Sequence, residues 1–250
     1  MGPVADAIFE DPRLADIYDV VDGERDDLEL YLGLVEEFAP RSVLDVGCGT
    51  GNLVRLLAAR GLEVTAADPA AASLDVARRG PGADRVRWVH ADAASVPPVG
   101  ADLATMTGNA AQVFLTDASW DAALRAVHAA LRPAGVFAFE TRDPAARVWT
   151  RWNRDTTHRH LATPSGPVET WLELTDVRLP LVSFRATFVF AADGAVLTSD
   201  STLRFRGGEE VAGSLRRAGF EVADVRDAPD RPGLELVFLA RRGLAAAGRG

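Results

Sequence analysis

The chain has 250 residues, 48% of them hydrophobic, enough to bury one full α/β core together with a substantial insertion. Its net charge of −9, with no basic run and no interleaving of aromatic and basic residues, excludes the electrostatic footprint of a nucleic-acid binder. No stretch of about 18 apolar residues is present, so no membrane-spanning helix is expected.

Residues 1–40 read as an N-terminal helical cap. Met1-Gly2-Pro3-Val4-Ala5-Asp6 lacks the basic region and apolar core of a signal peptide. From about residue 10 to 38 the pattern is amphipathic and helical, with Leu28, Leu32, Val35 and Phe38 near helical spacing, and Pro40 ends it. Val43-Leu44-Asp45-Val46 then reads as a buried strand, followed by Gly47-Cys48-Gly49-Thr50-Gly51 and the start of a helix. Glycine lets such a turn come close to a ligand, and the following helix aims free N–H groups at it. This is a nucleotide-type cofactor turn. Its spacing, D-x-G-x-G-x-G, differs from the G-x-G-x-x-G of dinucleotide sites, and no G-x-x-x-x-G-K-[ST] is present. The chain has no lysine, so all 27 basic residues are arginine. The lone cysteine, Cys48, reads as a small buried residue and fits a reduced compartment, the cytoplasm.

Leu62–Asp68 is a second strand ending in an acid, where Asp68 can accept hydrogen bonds from both ribose hydroxyls. Val86–His90 is a third strand, followed by Ala91-Asp92-Ala93. Asp102–Met106 is a fourth and runs into Thr107-Gly108-Asn109-Ala110-Ala111-Gln112. Val136–Glu140 is a fifth. The β-α alternation implies a doubly wound, mostly parallel seven-stranded sheet. Ligands of such sheets lie outside the carboxyl ends of the strands, which places Asn109 and Gln112 beside an acceptor.

The alternation breaks after strand five. Residues 146–205 carry three strand-like runs, Val168–Val177, Leu181–Phe190 and Val196–Phe205, with turn signals at Pro180 and Asp193-Gly194. We expect a three-stranded antiparallel sheet with one apolar face, formed by Val182, Phe184, Ala186, Phe188 and Phe190. It cannot stand alone, so it either covers the core as an acceptor lid or pairs in a homodimer. The linker into it carries Arg142, Asp143, Trp149, Trp152, His158 and His160, and Trp171 follows. The aromatics are candidate pocket walls and His158 a candidate base. No His/Cys/Asp/Glu cluster has metal-ligand spacing, so no metal is expected. The helix Glu209–Ala218 and the strands Phe220–Val225 and Glu235–Ala240, the last antiparallel, complete a main domain of residues 41–145 and 206–242. Residues 243–250 read as a frayed tail.

The glycine motif, the acid after strand two and the overall layout resemble the class I (Rossmann-like) S-adenosylmethionine-dependent methyltransferases, over roughly residues 14–242. Within that class the N-terminal cap and the insertion after strand five resemble the small-molecule subgroup that includes bacterial sugar N-methyltransferases. The resemblance implies S-adenosylmethionine as cofactor, bound by Asp45, Gly47, Cys48, Gly49, Gly51, Asp68 and Pro69. It further implies Asp92 and Ala93 at the adenine and Thr107 near the methyl. Ile17-Tyr18-Asp19 matches a Tyr-Asp that reaches over the cofactor in that subgroup, making Tyr18 a cofactor or catalytic candidate. Asn109, Gln112, Arg142, Trp149, Trp152 and Trp171 are the expected acceptor-side residues. An N, O or C atom of a small molecule then takes the methyl by in-line displacement, with proximity as the main catalytic term. The chain lacks the Asn-Pro-Pro-Tyr of DNA and glutamine N-methyltransferases at Thr107–Ala110, which leaves the general base unassigned. The rival readings are a non-catalytic S-adenosylmethionine-binding module and an NAD-dependent oxidoreductase. The all-arginine, alanine- and glycine-rich composition suits a GC-rich bacterial genome.

Overall fold

Short runs such as Val43-Leu44 and Val136-Phe137-Ala138-Phe139 are continuously apolar, as strands covered on both faces must be. In the computed structural model, which describes residues 5–243, they form the centre of a seven-stranded sheet. In chain order its strands are β1 (Ser42–Val46), β2 (Glu63–Asp68), β3 (Val86–His90), β4 (Ala101–Met106) and β5 (Leu131–Arg142). The last two follow an insertion and are numbered β10 (Phe220–Asp227) and β11 (Glu235–Arg242). The spatial order is β10-β11-β5-β4-β1-β2-β3, with β11 antiparallel to both β5 and β10 and the remaining pairs parallel.

Helices cover both faces. On one, α7 (Asp117–Ala130) and α9 (Gly208–Arg217) bury Trp120, Leu124, Val127 and Leu215 against Phe137 and Phe139. On the other, α4 (Asp27–Phe38), α5 (Asn52–Ala59) and α6 (Ala71–Arg79) bury Leu32, Leu57 and Leu74 against Val43 and Val64. A capping box at Thr116 and Ser119 fixes the start of α7, so the chain leaves β4 through a defined turn.

Two expectations are corrected. The N-terminal segment is not one helix but four: α1 (Ala7–Glu10), α2 (Pro12–Ala15), α3 (Tyr18–Asp22) and α4. Pro12 starts a new helix after the Asp11 cap, and Gly23, at φ +83°, ends α3 where a Cβ would be strained. The inserted sheet has four strands rather than three. After the one-turn helix α8 (Arg154–Thr157), the order is β6 (Arg159–Thr163), β7 (Gly166–Arg178), β8 (Leu181–Phe190) and β9 (Val196–Arg204), all antiparallel. Its apolar face, with Val168, Ala186, Phe188 and Phe190, packs on Leu14 and Ile17 of the N-terminal cap. The face is therefore covered within one chain by Leu14 and Ile17. The expected frayed tail, from residue 244 onward, and the first four residues lie outside the described residues.

Candidate active site at the carboxyl edge of the sheet

The glycine turn is built from backbone geometry. The N–H groups of Gly47 and Cys48 both donate to the Ala67 carbonyl, at 2.8 and 3.1 Å, which clamps the exit of β1 to β2. Gly49 (φ +52°) has open space where its Cβ would stand, so it is glycine for its backbone conformation and leaves the turn uncrowded. Gly51 is glycine for another reason. At φ +83° its Cβ would lie 2.9 Å from the Trp88 ring, so packing against β3 excludes a side chain there.

Asp68, at the end of β2, is buried. One of its oxygens accepts from Gly49 N and the other from Ala70 N, both at 2.8 Å. A carboxylate has about four lone-pair sites, so one remains on each oxygen for a diol. Burial pushes its carboxyl above the usual range, while those two backbone N–H groups pull it down. The uncrowded turn at Gly49 and the half-engaged acid beside it fit an adenosine-type cofactor. Asp45 lies lower, where it accepts from Thr105 Oγ1 at 2.6 Å and so ties β1 to β4 under the turn. Burial raises it to about 6. Burial also pushes the Cys48 thiol up, which leaves it a poor nucleophile. After β3, Asp92 accepts from Ser95 Oγ at 2.6 Å, Ala93 opens a short turn, and the Pro69 carbonyl lies 2.8 Å from His90 Nε2. Thr107 is buried at the exit of β4.

The N-terminal cap closes over this turn. Asp19 accepts from Thr50 Oγ1 and, at 3.0 Å, from Asn52 Nδ2, so α3 is tied directly to the glycine turn. Tyr18 packs its ring 5.3 Å from that of Phe9. Burial, with Asp22 beside it, holds its hydroxyl protonated, while Arg25 and Arg142 act in the opposite sense.

Beside the glycine turn lies a buried polar network that the sequence did not announce. Glu140 ends the apolar run of β5. One of its oxygens accepts from Asn109 N at 2.6 Å and the other meets the Tyr31 hydroxyl of α4. Burial raises the Glu140 carboxyl to about 8, against the pull of the Asn109 N–H. Asn109 stands in the left-handed region at φ +60°. Its Nδ2 donates to Glu235 Oε1 at 2.9 Å, and its Oδ1 is buried with no partner among the described residues. The same Glu235 oxygen accepts from Arg231 at 2.9 Å and lies 3.9 Å from Arg142 Nε. Arg142 also donates to Gln112 Oε1 at 2.9 Å and stands 5.7 Å from the centre of the Trp152 ring.

The structure thus brings Asn109, Gln112, Arg142 and Trp152 together and leaves three other expected residues elsewhere. Trp149 is buried in the lid, its ring 4.5 Å from that of Phe205, so it is a packing residue. Trp171 lies on the outer face of the inserted sheet, where it pairs across β7 and β8 with Thr187 and donates to Glu173 at 2.8 Å. The strict alternation of a strand sends it away from the face that holds Val168. His158 is 2.6 Å from Glu169 and packs against His160 on that same outer side, so it does not reach Asn109 or Arg142. Sequence reasoning missed Tyr31, Glu140, Arg231 and Glu235, while Asp19 entered only as part of the Ile17-Tyr18-Asp19 match. The available signal was a glutamate closing the apolar run of β5. Among the described residues, no group of three His, Cys, Asp or Glu side chains could hold a metal ion, and no helix is long and apolar enough to cross a membrane.

Comparison with known proteins agrees with this geometry. The methyltransferase-domain family matches residues 43–135. A malonyl-[acyl-carrier protein] O-methyltransferase of Serratia marcescens is 30% identical over 180 residues, covering 71% of this chain and 66% of that protein. A protein of the same name from Enterobacter lignolyticus is 40% identical over 99 residues, 40% of this chain and 38% of its own length. The aligned stretches therefore span two thirds of those relatives at most. Among solved structures, the CcbJ methyltransferase of Streptomyces caelestis superposes with a TM-score of 0.77 at 20% identity, covering 94% of this chain and 97% of that one. An amino pentose methyltransferase of calicheamicin biosynthesis, from Micromonospora echinaspora with S-adenosylmethionine bound, has a TM-score of 0.67 at 23% identity, covering 89% and 93%. At these identities the structural likeness speaks for the fold.

Proposed function

We propose that this chain, which carries a methyltransferase-domain match over residues 43–135 and the class I fold, is an S-adenosylmethionine-dependent methyltransferase that moves the cofactor's methyl group to an N, O or C atom of a small-molecule acceptor. The observation that carries this reading is the pairing of two sites under one cap. The glycine turn with Asp68 stands next to the buried polar network of Asn109, Gln112 and Arg142, since a Cβ on Gly47 would lie 3.4 Å from Ala110.

The cofactor supplies a methyl on a sulfonium, already activated for transfer. Gly47, Gly49 and the first N–H groups of α5 approach it through backbone, and Asp68 accepts from the ribose hydroxyls. Asp92 and the Ala93 N–H take the adenine. Asp19 holds the cap on the turn, and Tyr18 forms part of the roof. These groups align and exclude water, which is the main term for a transfer of this kind. Glu140 is not the base. It is sealed behind Asn109 and Tyr31 and is protonated near neutral pH. A base is needed only where the acceptor must lose its proton before attack.

The names of the relatives support an acceptor that is small or carried on a small arm. One group acts on malonyl-[acyl-carrier protein] and another on sugars. We place the protein in a bacterial cytoplasm, a reading supported by the bacterial relatives and the single buried thiol. The test is calorimetric titration with S-adenosylhomocysteine, with NAD as the control. Micromolar binding of the first alone is expected. Binding of NAD alone, or of neither, would refute the proposal.

A further inference from the structure

Two unmet hydrogen-bonding demands face each other across Glu235. The first is Arg142. A guanidinium carries five N–H donors, and among the described residues this one makes a single hydrogen bond, from Nη1 to Gln112. Its Nε points at Glu235 from 3.9 Å, the outer limit of an ion pair. That carboxylate is already engaged at 2.9 Å by Arg231. Yet 23% of the Arg142 side chain is accessible, so the group is not sealed from a small ligand. A planar fork with two free N–H groups fits a carboxylate.

The second demand is Asn109. Its amide orientation is not free, because its NH2 donates to the Glu235 oxygen that also takes the Arg231 N–H. Its Oδ1 is therefore a fixed acceptor, buried and unpartnered. A buried acceptor left without a donor is destabilising, and only an N–H or O–H can satisfy it. The same oxygen, Glu235 Oε1, receives Asn109 and stands nearest to Arg142. A single small molecule can therefore meet both demands.

Building on the methyltransferase reading above, we infer that the acceptor is an amino- or hydroxycarboxylate. Its carboxylate is held by Arg142, and the N–H or O–H of its methyl-accepting atom is held by Asn109 Oδ1. The lone pair of that nitrogen or oxygen forms the bond to the methyl, and the electron pair of the broken S–C bond stays on sulfur as a thioether. The proton of the accepting atom passes to water, because the neutral amide of Asn109 cannot keep it. Asn109 orients the nucleophile. Glu235 is a positioning residue that holds both recognition groups.

The probes are glycine, glycolate, acetate and ethanolamine, each titrated into the full chain saturated with S-adenosylhomocysteine. Glycine or glycolate is expected to bind at least about tenfold tighter than acetate or ethanolamine, about 1.4 kcal/mol. Arg142→Gln is expected to abolish that preference while leaving S-adenosylhomocysteine affinity within about twofold. Arg142→Lys, which keeps the charge without the fork, should recover only part of it. Asn109→Leu should bring glycine down to the level of acetate. Thermal unfolding checks that each variant is folded, and Arg142→Lys stands in if Arg142→Gln is not. Equal binding of all four probes would overturn the inference alone. So would loss of S-adenosylhomocysteine but not methylthioadenosine affinity in Arg142→Gln, since the carboxylate held there would then be the cofactor's own. Failure of the unaltered protein to bind S-adenosylhomocysteine would overturn the methyltransferase reading and this inference with it.

Discussion

Glu140 offers a sharp test of the buried network. Its carboxyl is raised from 4.5 to about 8, chiefly because it is sealed from water between Asn109 and Tyr31. A carboxyl raised on folding binds its proton more tightly in the native state than in the unfolded chain. The fold therefore loses stability as pH rises from the unfolded value to the folded one. At about 1.4 kcal/mol per pH unit, the interval corresponds to at most about 5 kcal/mol. Water entry and local relaxation reduce that figure, so a loss of about 2–3 kcal/mol between pH 5 and pH 8 is expected from this residue. Glu140→Gln keeps both partners. Its carbonyl accepts from Asn109 N, and its NH2 meets the Tyr31 oxygen as the neutral acid would. It removes only the charge. The assay is urea unfolding of both proteins from about pH 5 to about pH 9. The other raised acids, Asp6, Asp22, Asp45 and Asp68, are shared and cancel in the difference. The variant should overtake the parent as pH rises. Parallel curves would show that Glu140 ionises freely, and the sealed-acid account would fall.

Asp68→Ala should weaken S-adenosylhomocysteine at least tenfold, since hydrogen bonds to a charged group contribute about 1.5–3 kcal/mol each. Affinity near that of the parent in calorimetry would remove Asp68 from the ribose. Gly51→Ala must place a methyl 2.9 Å from the Trp88 ring at φ +83°. A loss of about 1–3 kcal/mol of stability follows, and an unchanged unfolding midpoint would contradict it. Trp149→Ala empties the lid core beside Phe205 and should cost about 3–5 kcal/mol while S-adenosylhomocysteine affinity holds. If cofactor affinity collapsed instead, Trp149 would have a binding role.

The glycine turn, the acid that ends β2 and the succession of strands along the chain were legible in the sequence because each is a local pattern: a glycine spacing, an acid at a strand end, an apolar run. The antiparallel last strand was legible for the same reason. Strand β6 was not. Arg159 and His160 stand exposed on the edge of the inserted sheet, so no apolar alternation marks them. The polar network was equally hidden. Tyr31 and Glu140 are 109 positions apart, and Asn109 and Glu235 are 126 apart. No local period carries contacts made across four elements. Trp171 misled because aromatic content marks a pocket and an outer sheet face equally well. Only the pairing of Trp171 with Thr187 decides the side it occupies.

The packing of the N-terminal cap on the inserted sheet sets an order of assembly. Leu14 and Ile17 are covered by Phe188 and Phe190, and the Ile8 N–H donates to Ser199 Oγ, 191 positions away, at 3.0 Å. During synthesis Leu14 and Ile17 therefore lack their sheet cover until β8 and β9 have left the ribosome, although the neighbouring Phe9 and Glu10 can already meet Ser73 and Ala71 of α6. Contacts of such long sequence separation form late because the chain must close a long loop before they return any energy. The central sheet can assemble around β1, β4 and β5 while these two residues wait exposed. A nascent chain arrested before residue 190 would carry Leu14 and Ile17 without their sheet cover, open to chaperones.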